Sequence, residues 1–231
     1  MRILGIQKMT LLDYPGNVAC TLFTGGCNFR CPFCHNASLV LHAGEAKAIP
    51  EEDILNFLSK RVSVLDGVCI TGGEPLIHED IEVFLSKVSD LGFKIKLDTN
   101  GTFPDRLRSL IGKGLVNRVA MDIKNSKEKY SLTAGTDTDL SIISKSIEIL
   151  ISSGIEYEFR TTVVAEYHNK NDIENICRWI NGAGEYHIQN FKDSGEVISE
   201  GLHGVPRNEL IEFRDTAMKY IPVVTVRGEE I

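Results

Sequence analysis

Three thiols lie in the run Cys27-Asn28-Phe29-Arg30-Cys31-Pro32-Phe33-Cys34, directly after an apolar stretch. A C-x3-C-x2-C spacing is one ligand short of closing a tetrahedral four-cysteine site. A [4Fe-4S] cluster held this way keeps one iron that the protein does not ligate, and a small molecule can chelate it. An open coordination position is what a catalytic metal centre needs and a structural one avoids. The same residues carry other readings. Cys27, Cys31, Cys34 and His35 form a donor set that suits zinc, although the ligands are crowded into one short run and no second C-x2-C pair lies elsewhere. Cys31-Pro32-Phe33-Cys34-His35 also matches the C-x-x-C-H pattern of haem attachment, which leaves Cys27 idle. A disulfide framework would call for a secretory segment, and the N-terminal residues Met1-Arg2-Ile3-Leu4-Gly5-Ile6-Gln7-Lys8 do not make one.

Composition narrows the class of protein that surrounds these thiols. The chain has 231 residues, 42% hydrophobic and 25% charged, the balance of a globular protein able to bury one sizeable core. A net charge of -7 argues against binding a phosphate backbone, so no nucleic-acid partner is expected. No stretch reads as a membrane span, and six cysteines without an export signal point to the reducing cytoplasm. Cys20 and Cys69 fall in apolar strand-like runs and Cys177 in a helical pattern; these three read as buried small hydrophobes.

The elements that must position the thiols alternate from end to end. Strand patterns occupy residues 18–23, 67–70, 94–98, 118–123, 157–164 and 186–191, and helical patterns occupy 51–61, 79–91, 104–111, 139–152 and 172–181. A further helix over 209–219 and a strand-like run over 223–227 follow. No linker or low-complexity segment divides the chain, so 1–231 reads as a single domain. Its core spans about 14–191, with a C-terminal extension over about 192–231. Repeated βα units imply a parallel sheet covered by helices and joined by right-handed crossovers. Six such units are too few for the closed eight-stranded barrel, and predict an open, partial (β/α)6 barrel with a C-terminal helix and strand.

Ligand sites in parallel α/β folds lie at the carboxyl ends of the strands. The distinctive residues of this chain fall there. The cysteine loop follows the first predicted strand and Thr71-Gly72-Gly73-Glu74-Pro75 the second; Leu97-Asp98-Thr99-Asn100-Gly101 ends the third and Met121-Asp122-Ile123-Lys124 the fourth. Arg160-Thr161-Thr162 lies in the fifth and Gln189-Asn190-Phe191 ends the sixth. Singly, each piece has a plain structural explanation: a tight turn for Gly72-Gly73, a turn for Asn100-Gly101, a surface ion pair for Asp122 and Lys124. Their joint placement beside a cluster with an open iron favours chemistry.

Cys27, Cys31 and Cys34 followed by Gly72-Gly73-Glu74-Pro75 resemble the radical S-adenosylmethionine (SAM) enzymes over roughly residues 14 to 191. Asp13-Tyr14-Pro15-Gly16, then Phe23-Thr24-Gly25-Gly26-Cys27 through Cys34-His35-Asn36, is most similar to the glycyl-radical-enzyme activases, and among them to those that act on anaerobic ribonucleoside-triphosphate reductase. The resemblance implies roles by residue. Cys27, Cys31 and Cys34 would hold [4Fe-4S], and the amino and carboxylate groups of S-adenosylmethionine would chelate the fourth iron. Phe33 would lie near the adenine, and Gly72, Gly73 and Glu74 would meet the methionyl ammonium. Asp98, Thr99 and Asp122 would surround a monovalent cation; Asp98 and Lys124 would address the cofactor, with Lys124 neutralising its carboxylate. Arg160 and Thr162 would approach it from the fifth strand. An external one-electron donor, such as flavodoxin or ferredoxin, would drive formation of a 5′-deoxyadenosyl radical. The substrate implied is a glycine in a partner protein, anaerobic ribonucleotide reductase. A radical SAM enzyme acting on a small heterocycle, similar to the 7-carboxy-7-deazaguanine synthases, and a non-catalytic electron carrier are the competing readings. The chain departs from many activases in lacking a cysteine-rich insertion between 35 and 70, where only Cys69 occurs, and in having Val163-Val164-Ala165-Glu166 without the proline common after the fifth strand.

Overall fold

The computed structural model describes residues 1–193 and 195–228. Eight strands follow one another in chain order across one sheet. They are β1 (Ile3–Thr10), β2 (Ala19–Thr24), β3 (Gly67–Gly72), β4 (Lys94–Thr99), β5 (Arg118–Asp122), β6 (Glu156–Val163), β7 (Glu185–Asn190) and β8 (Val223–Arg227). Between them lie α1 (Ala37–Leu41), α2 (Glu51–Ser59), α3 (Ile81–Asp90), α4 (Pro104–Gly112), α5 (Tyr130–Ala134), α6 (Leu140–Ser152), α7 (Lys170–Trp179) and α8 (Arg207–Ala217). The expected α/β fold, a partial (β/α)6 barrel ending in a helix and a strand, is borne out, with one strand more at the front. β1 runs antiparallel to β2, whereas β2–β3, β3–β4, β6–β7 and β7–β8 are parallel pairs.

The described residues form two compact units: 1–28 with 38–120, and 29–37 with 121–193 and 195–228. The first has its core between the sheet and the helices that follow each strand. Ile81, Phe84, Leu85 and Val88 recur at the spacing of one helical face and are buried, as are Leu22, Ile70 and Leu97 on the strands. In the second unit Ile143, Ile147 and Leu150 of α6 and Ile176 of α7 are buried in the same way, with Phe159 and Ile188 on the strands. Each such side chain stabilises its unit by roughly 1.5–3 kcal/mol.

β1 escapes a periodicity reading for a visible reason. Its residues between buried Ile3 and buried Thr10 run from partly exposed to exposed, and Gly5 interrupts the apolar residues, so no alternation marks it. The helix predicted over 172–181 starts earlier, at Lys170, because its cap is Asn169. The Asn169 side chain accepts from the Asp172 backbone N–H at 3.1 Å, and Asp172 accepts from the Asn169 N–H at 2.9 Å. This reciprocal capping box satisfies two end groups at once. Helix α5 was not legible, since five residues offer too little periodicity.

Candidate active site

The first unit carries Cys27 and two of the strand-end motifs. Gly73 donates its backbone N–H to the Thr24 carbonyl at 2.9 Å, and Glu74 donates to the Gly26 carbonyl at 2.9 Å. The turn after β3 is thereby tied to the start of the cysteine loop. Side chains are excluded from this contact: a Cβ on Gly73 would lie 1.9 Å from the Gly26 carbonyl oxygen, and one on Gly72 2.4 Å from the Thr24 nitrogen. The glycines are thus required by the loop's own packing.

Glu74 has a use that its sequence context hid. It is 1% exposed. Its Oε1 accepts from the Leu76 N–H at 3.0 Å and from Thr99 Oγ1 at 2.8 Å, while Oε2 accepts from the Asn100 N–H at 2.6 Å. One buried carboxylate therefore fixes the end of β4 against the turn after β3, with its charge spread over three donors. Asn100 completes the chain of contacts: its Nδ2 donates to Asn28 Oδ1 at 2.9 Å and lies 3.9 Å from Cys27 Sγ. An N–H near a ligand sulfur is one of the groups that set the potential of an iron–sulfur centre. Asn100 was read only as a turn residue; its place two positions after Asp98, in a loop facing a cysteine, was the available signal. Asp98 itself accepts from the buried Lys96 ammonium, with Cys69 Sγ 3.9 Å from the same oxygen.

The second unit carries Cys31, Cys34 and the remaining motifs. Arg30 donates its N–H to the Ala134 carbonyl at 2.8 Å, and Cys31 Sγ lies 3.8 Å from that oxygen. Gly135 caps α5 with φ +66°, and a Cβ there would lie 2.0 Å from the Arg30 carbonyl oxygen. Helix α5 is thus a seat for the middle of the cysteine loop, which sequence reasoning missed. Phe33 is 4% exposed and packs with Val164 and Phe191. His35 stacks on Phe191 with ring centroids 5.3 Å apart and makes a 2.8 Å hydrogen bond to the Lys192 carbonyl. These contacts hold the segment after Cys34 by its side chains.

Asp122, which ends β5, and Lys124 just beyond it meet Arg160 from the middle of β6. Arg160 Nε donates to Asp122 Oδ1 at 2.9 Å, and Lys124 Nζ donates to Oδ2 at 3.0 Å. Burial alone would raise the Asp122 pKa, but the two cations more than offset it and hold it at about 2. Burial would likewise lower the Lys124 pKa, yet Asp122 and Cys31 hold it above the usual lysine range. The group is one carboxylate under two cations, a net positive corner suited to an anion. His168 supports it from behind. Val164 donates its N–H to Nδ1 at 3.1 Å, so the ring proton is assigned to Nε2, which donates to the Lys124 carbonyl at 3.0 Å. Burial lowers the His168 pKa, keeping the ring neutral for this arrangement. Thr162 lies two residues beyond Arg160 on the same strand, and is paired in register with Gln189.

Because Asp122 is held low in the folded chain, its stabilising contribution is complete above about pH 4 and fades as pH falls toward about 2. The cluster-free Asp122→Asn protein should unfold at lower urea than wild type at neutral pH, and the two midpoints should converge as pH drops through that window. Midpoints separated equally at every pH would sink the assignment.

The donor set fits an iron–sulfur cluster. Cys27, Cys31 and Cys34 are unbridged thiols in one loop. Cys20, Cys69 and Cys177 are buried within the units, and burial pushes the Cys20 and Cys177 thiols up to about 12, so neither offers a thiolate. Glu158, Glu185 and His187 also converge, but not as an open ligand set. Arg227 donates to both oxygens of Glu158 at 3.1 and 3.3 Å, His187 Nε2 is 2.9 Å from Glu185, and His187 Nδ1 pairs with Thr225 Oγ1. A guanidinium already neutralises the buried carboxylate.

Among the described residues no helix is long and apolar enough to cross a membrane. The family model of the radical SAM superfamily matches residues 21–180. The protein named "Putative glycyl-radical enzyme activating enzyme MJ1227" of Methanocaldococcus jannaschii is 32% identical over 230 residues, covering 96% of this chain and 94% of its own length. The 7-carboxy-7-deazaguanine synthase of Thermoplasma acidophilum is 26% identical, over 79% of this chain and 88% of that protein. Streptococcus suis SuiB, in a crystal structure with S-adenosylmethionine bound, superposes with a TM-score of 0.70 at 15% identity, over 90% of this chain and about half, 52%, of that one. The chain belongs to the radical SAM superfamily, whose members use a [4Fe-4S] cluster and S-adenosylmethionine.

Proposed function

We propose that this radical SAM enzyme is an activase that generates a glycyl radical on a partner enzyme, anaerobic ribonucleotide reductase. The observation that carries the reading is the likeness, along nearly the whole of both chains, to a protein named for activating glycyl-radical enzymes. When bound, the cluster and S-adenosylmethionine would supply one-electron cleavage of the sulfonium bond and, from it, a carbon radical able to take a hydrogen atom from the target. An external donor of the flavodoxin or ferredoxin class provides the electron.

The chain's own residues bind and orient. Cys27, Cys31 and Cys34 hold the cluster. Gly72 and Gly73 bring backbone groups to the methionyl ammonium, and Glu74 acts behind them by fixing Thr99 and Asn100. Lys124 and Arg160, spaced by Asp122, form the positive corner that takes the cofactor carboxylate, with Thr162 beside them. The buried Phe33 packs the loop and would lie near the adenine. The target glycine must come within near-attack distance of the deoxyadenosyl carbon, so the partner must offer a flexible loop.

Lys124→Ala should keep the cluster and weaken S-adenosylmethionine binding. A charge-assisted contact is worth roughly 1.5–3 kcal/mol, or about ten- to a hundredfold in affinity. Titration followed by the cluster's spectroscopic signal measures it, and unchanged affinity would return Lys124 to a purely structural ion pair.

The functional test is direct. Reduced protein, S-adenosylmethionine and an anaerobic ribonucleotide reductase from the same organism, mixed without oxygen, should give the doublet resonance of a glycyl radical. Deoxyadenosine should form in step with it. The Thermoplasma relative favours a second reading, in which the substrate is a heterocycle. Absence of the doublet, with cofactor cleavage accelerated by such a heterocycle instead, would establish that alternative.

A further inference from the structure

The residues expected to surround a monovalent cation do not fit a free ion. On β4, Lys96 and Asp98 are two residues apart and therefore on the same face of the strand. Lys96 is 2% exposed, a rare position for a lysine, whose long stem ordinarily carries its charge out to water. Here the stem turns along its own strand, and the ammonium donates to Asp98 Oδ1. Cys69, paired in register with Lys96 on β3, places its Sγ 3.9 Å from the same oxygen. The neighbouring Thr99 hydroxyl donates to Glu74 at 2.8 Å and accepts from the Gly101 N–H at 3.1 Å. In the other unit, both oxygens of Asp122 are engaged by Arg160 and Lys124.

We propose that Lys96 is a built-in cation: its ammonium serves Asp98 in the role a free monovalent ion would otherwise fill, so this chain binds S-adenosylmethionine without one. The proposal rests on the reading that puts Asp98 in the cofactor site. An ammonium is close in size to a potassium ion and competes for the same carboxylate oxygens, but a tethered one needs no ion from solution. Burying a charged lysine is costly unless it is paired, and pairing it with Asp98 neutralises that corner of the site. A second, free cation there would be repelled by the first.

The test uses the cluster-loaded protein and reads binding, not turnover. S-adenosylmethionine is titrated in sodium, potassium and tetramethylammonium buffers of equal ionic strength, and sodium binding is followed separately by nuclear relaxation. Wild type should show affinities within about twofold across the three buffers and no saturable sodium binding. Lys96→Met, which keeps the stem and removes the charge, should acquire ion dependence, binding about tenfold tighter in potassium than in tetramethylammonium, a difference of about 1.4 kcal/mol. Saturable potassium or sodium dependence of the wild-type affinity overturns the proposal, and that arm stands even where Lys96→Met fails to fold. Asp98→Asn separates the underlying reading: unchanged affinity in that variant removes Asp98 from the cofactor site and takes the proposal with it. Weakened Asp98→Asn binding together with ion-dependent wild-type binding refutes only the role of Lys96.

Discussion

Serine in place of any one of Cys27, Cys31 or Cys34 should abolish cluster incorporation, and with it all cleavage of S-adenosylmethionine. This is the largest effect expected of a single substitution in the chain. Three thiolates leave just one of the four irons open, so losing one leaves two protein ligands for four irons. An alkoxide is a poor replacement, because a serine hydroxyl in a partly exposed loop stays protonated. Anaerobically reconstituted wild type should carry close to one cluster per chain, by iron analysis and visible absorbance, and each variant close to none. Alanine at Cys20, Cys69 or Cys177 should leave iron content intact, at a modest cost in stability from the small cavity created. Loss of the cluster in one of these three, with retention in Cys27→Ser, would show the ligand assignment to be wrong.

Gly73→Ala is expected to be the most damaging change that adds a single methyl group. The new Cβ would sit 1.9 Å from the Gly26 carbonyl oxygen, and both partners are backbone, so no rotamer change relieves the overlap. To reach ordinary contact the two segments must part by roughly 1.5 Å, which breaks the 2.9 Å bond from the Glu74 N–H to Gly26. Misplacement on the order of 1 Å in a catalytic constellation costs about a hundredfold. The affinity for S-adenosylmethionine should fall by about that factor, and Gly135→Ala should likewise disturb the loop, since its Cβ would meet the Arg30 carbonyl at 2.0 Å. Gly112→Ala is the control: it ends α4 with nothing within 4 Å and should leave binding unchanged. Wild-type affinity in Gly73→Ala would mean that the turn after β3 does not form the site.

Much of this architecture was written locally. The parallel strands are apolar runs because they are covered on both faces, and β2 is buried at five of its six positions. Motifs at strand ends followed directly once the strands were placed. What could not be read depends on contacts distant along the chain. That Glu74 braces Thr99 and Asn100, 25 and 26 residues later, is visible only in the structure, where both donate to it. Lys96 reads as an ordinary strand residue, since nothing in the sequence says whether its stem turns outward or along the strand. Helix α5 supports the loop through a main-chain carbonyl and a glycine, neither of which carries a side-chain signal. β1 was missed because an edge strand needs no alternation to be held.

The bond between Arg227 and Glu158 has a consequence for how the protein is made. Glu158, on β6, is 1% exposed, and its charge is balanced by a guanidinium that follows it by 69 residues, on the last strand. A ribosome adding ~5–20 residues per second needs roughly 3–14 s to deliver that partner. During that interval β7 lacks the strand that will cover its edge. The second unit therefore completes its sheet only once β8 has been made. Chaperone capture during synthesis should concentrate on chains stalled before residue 227.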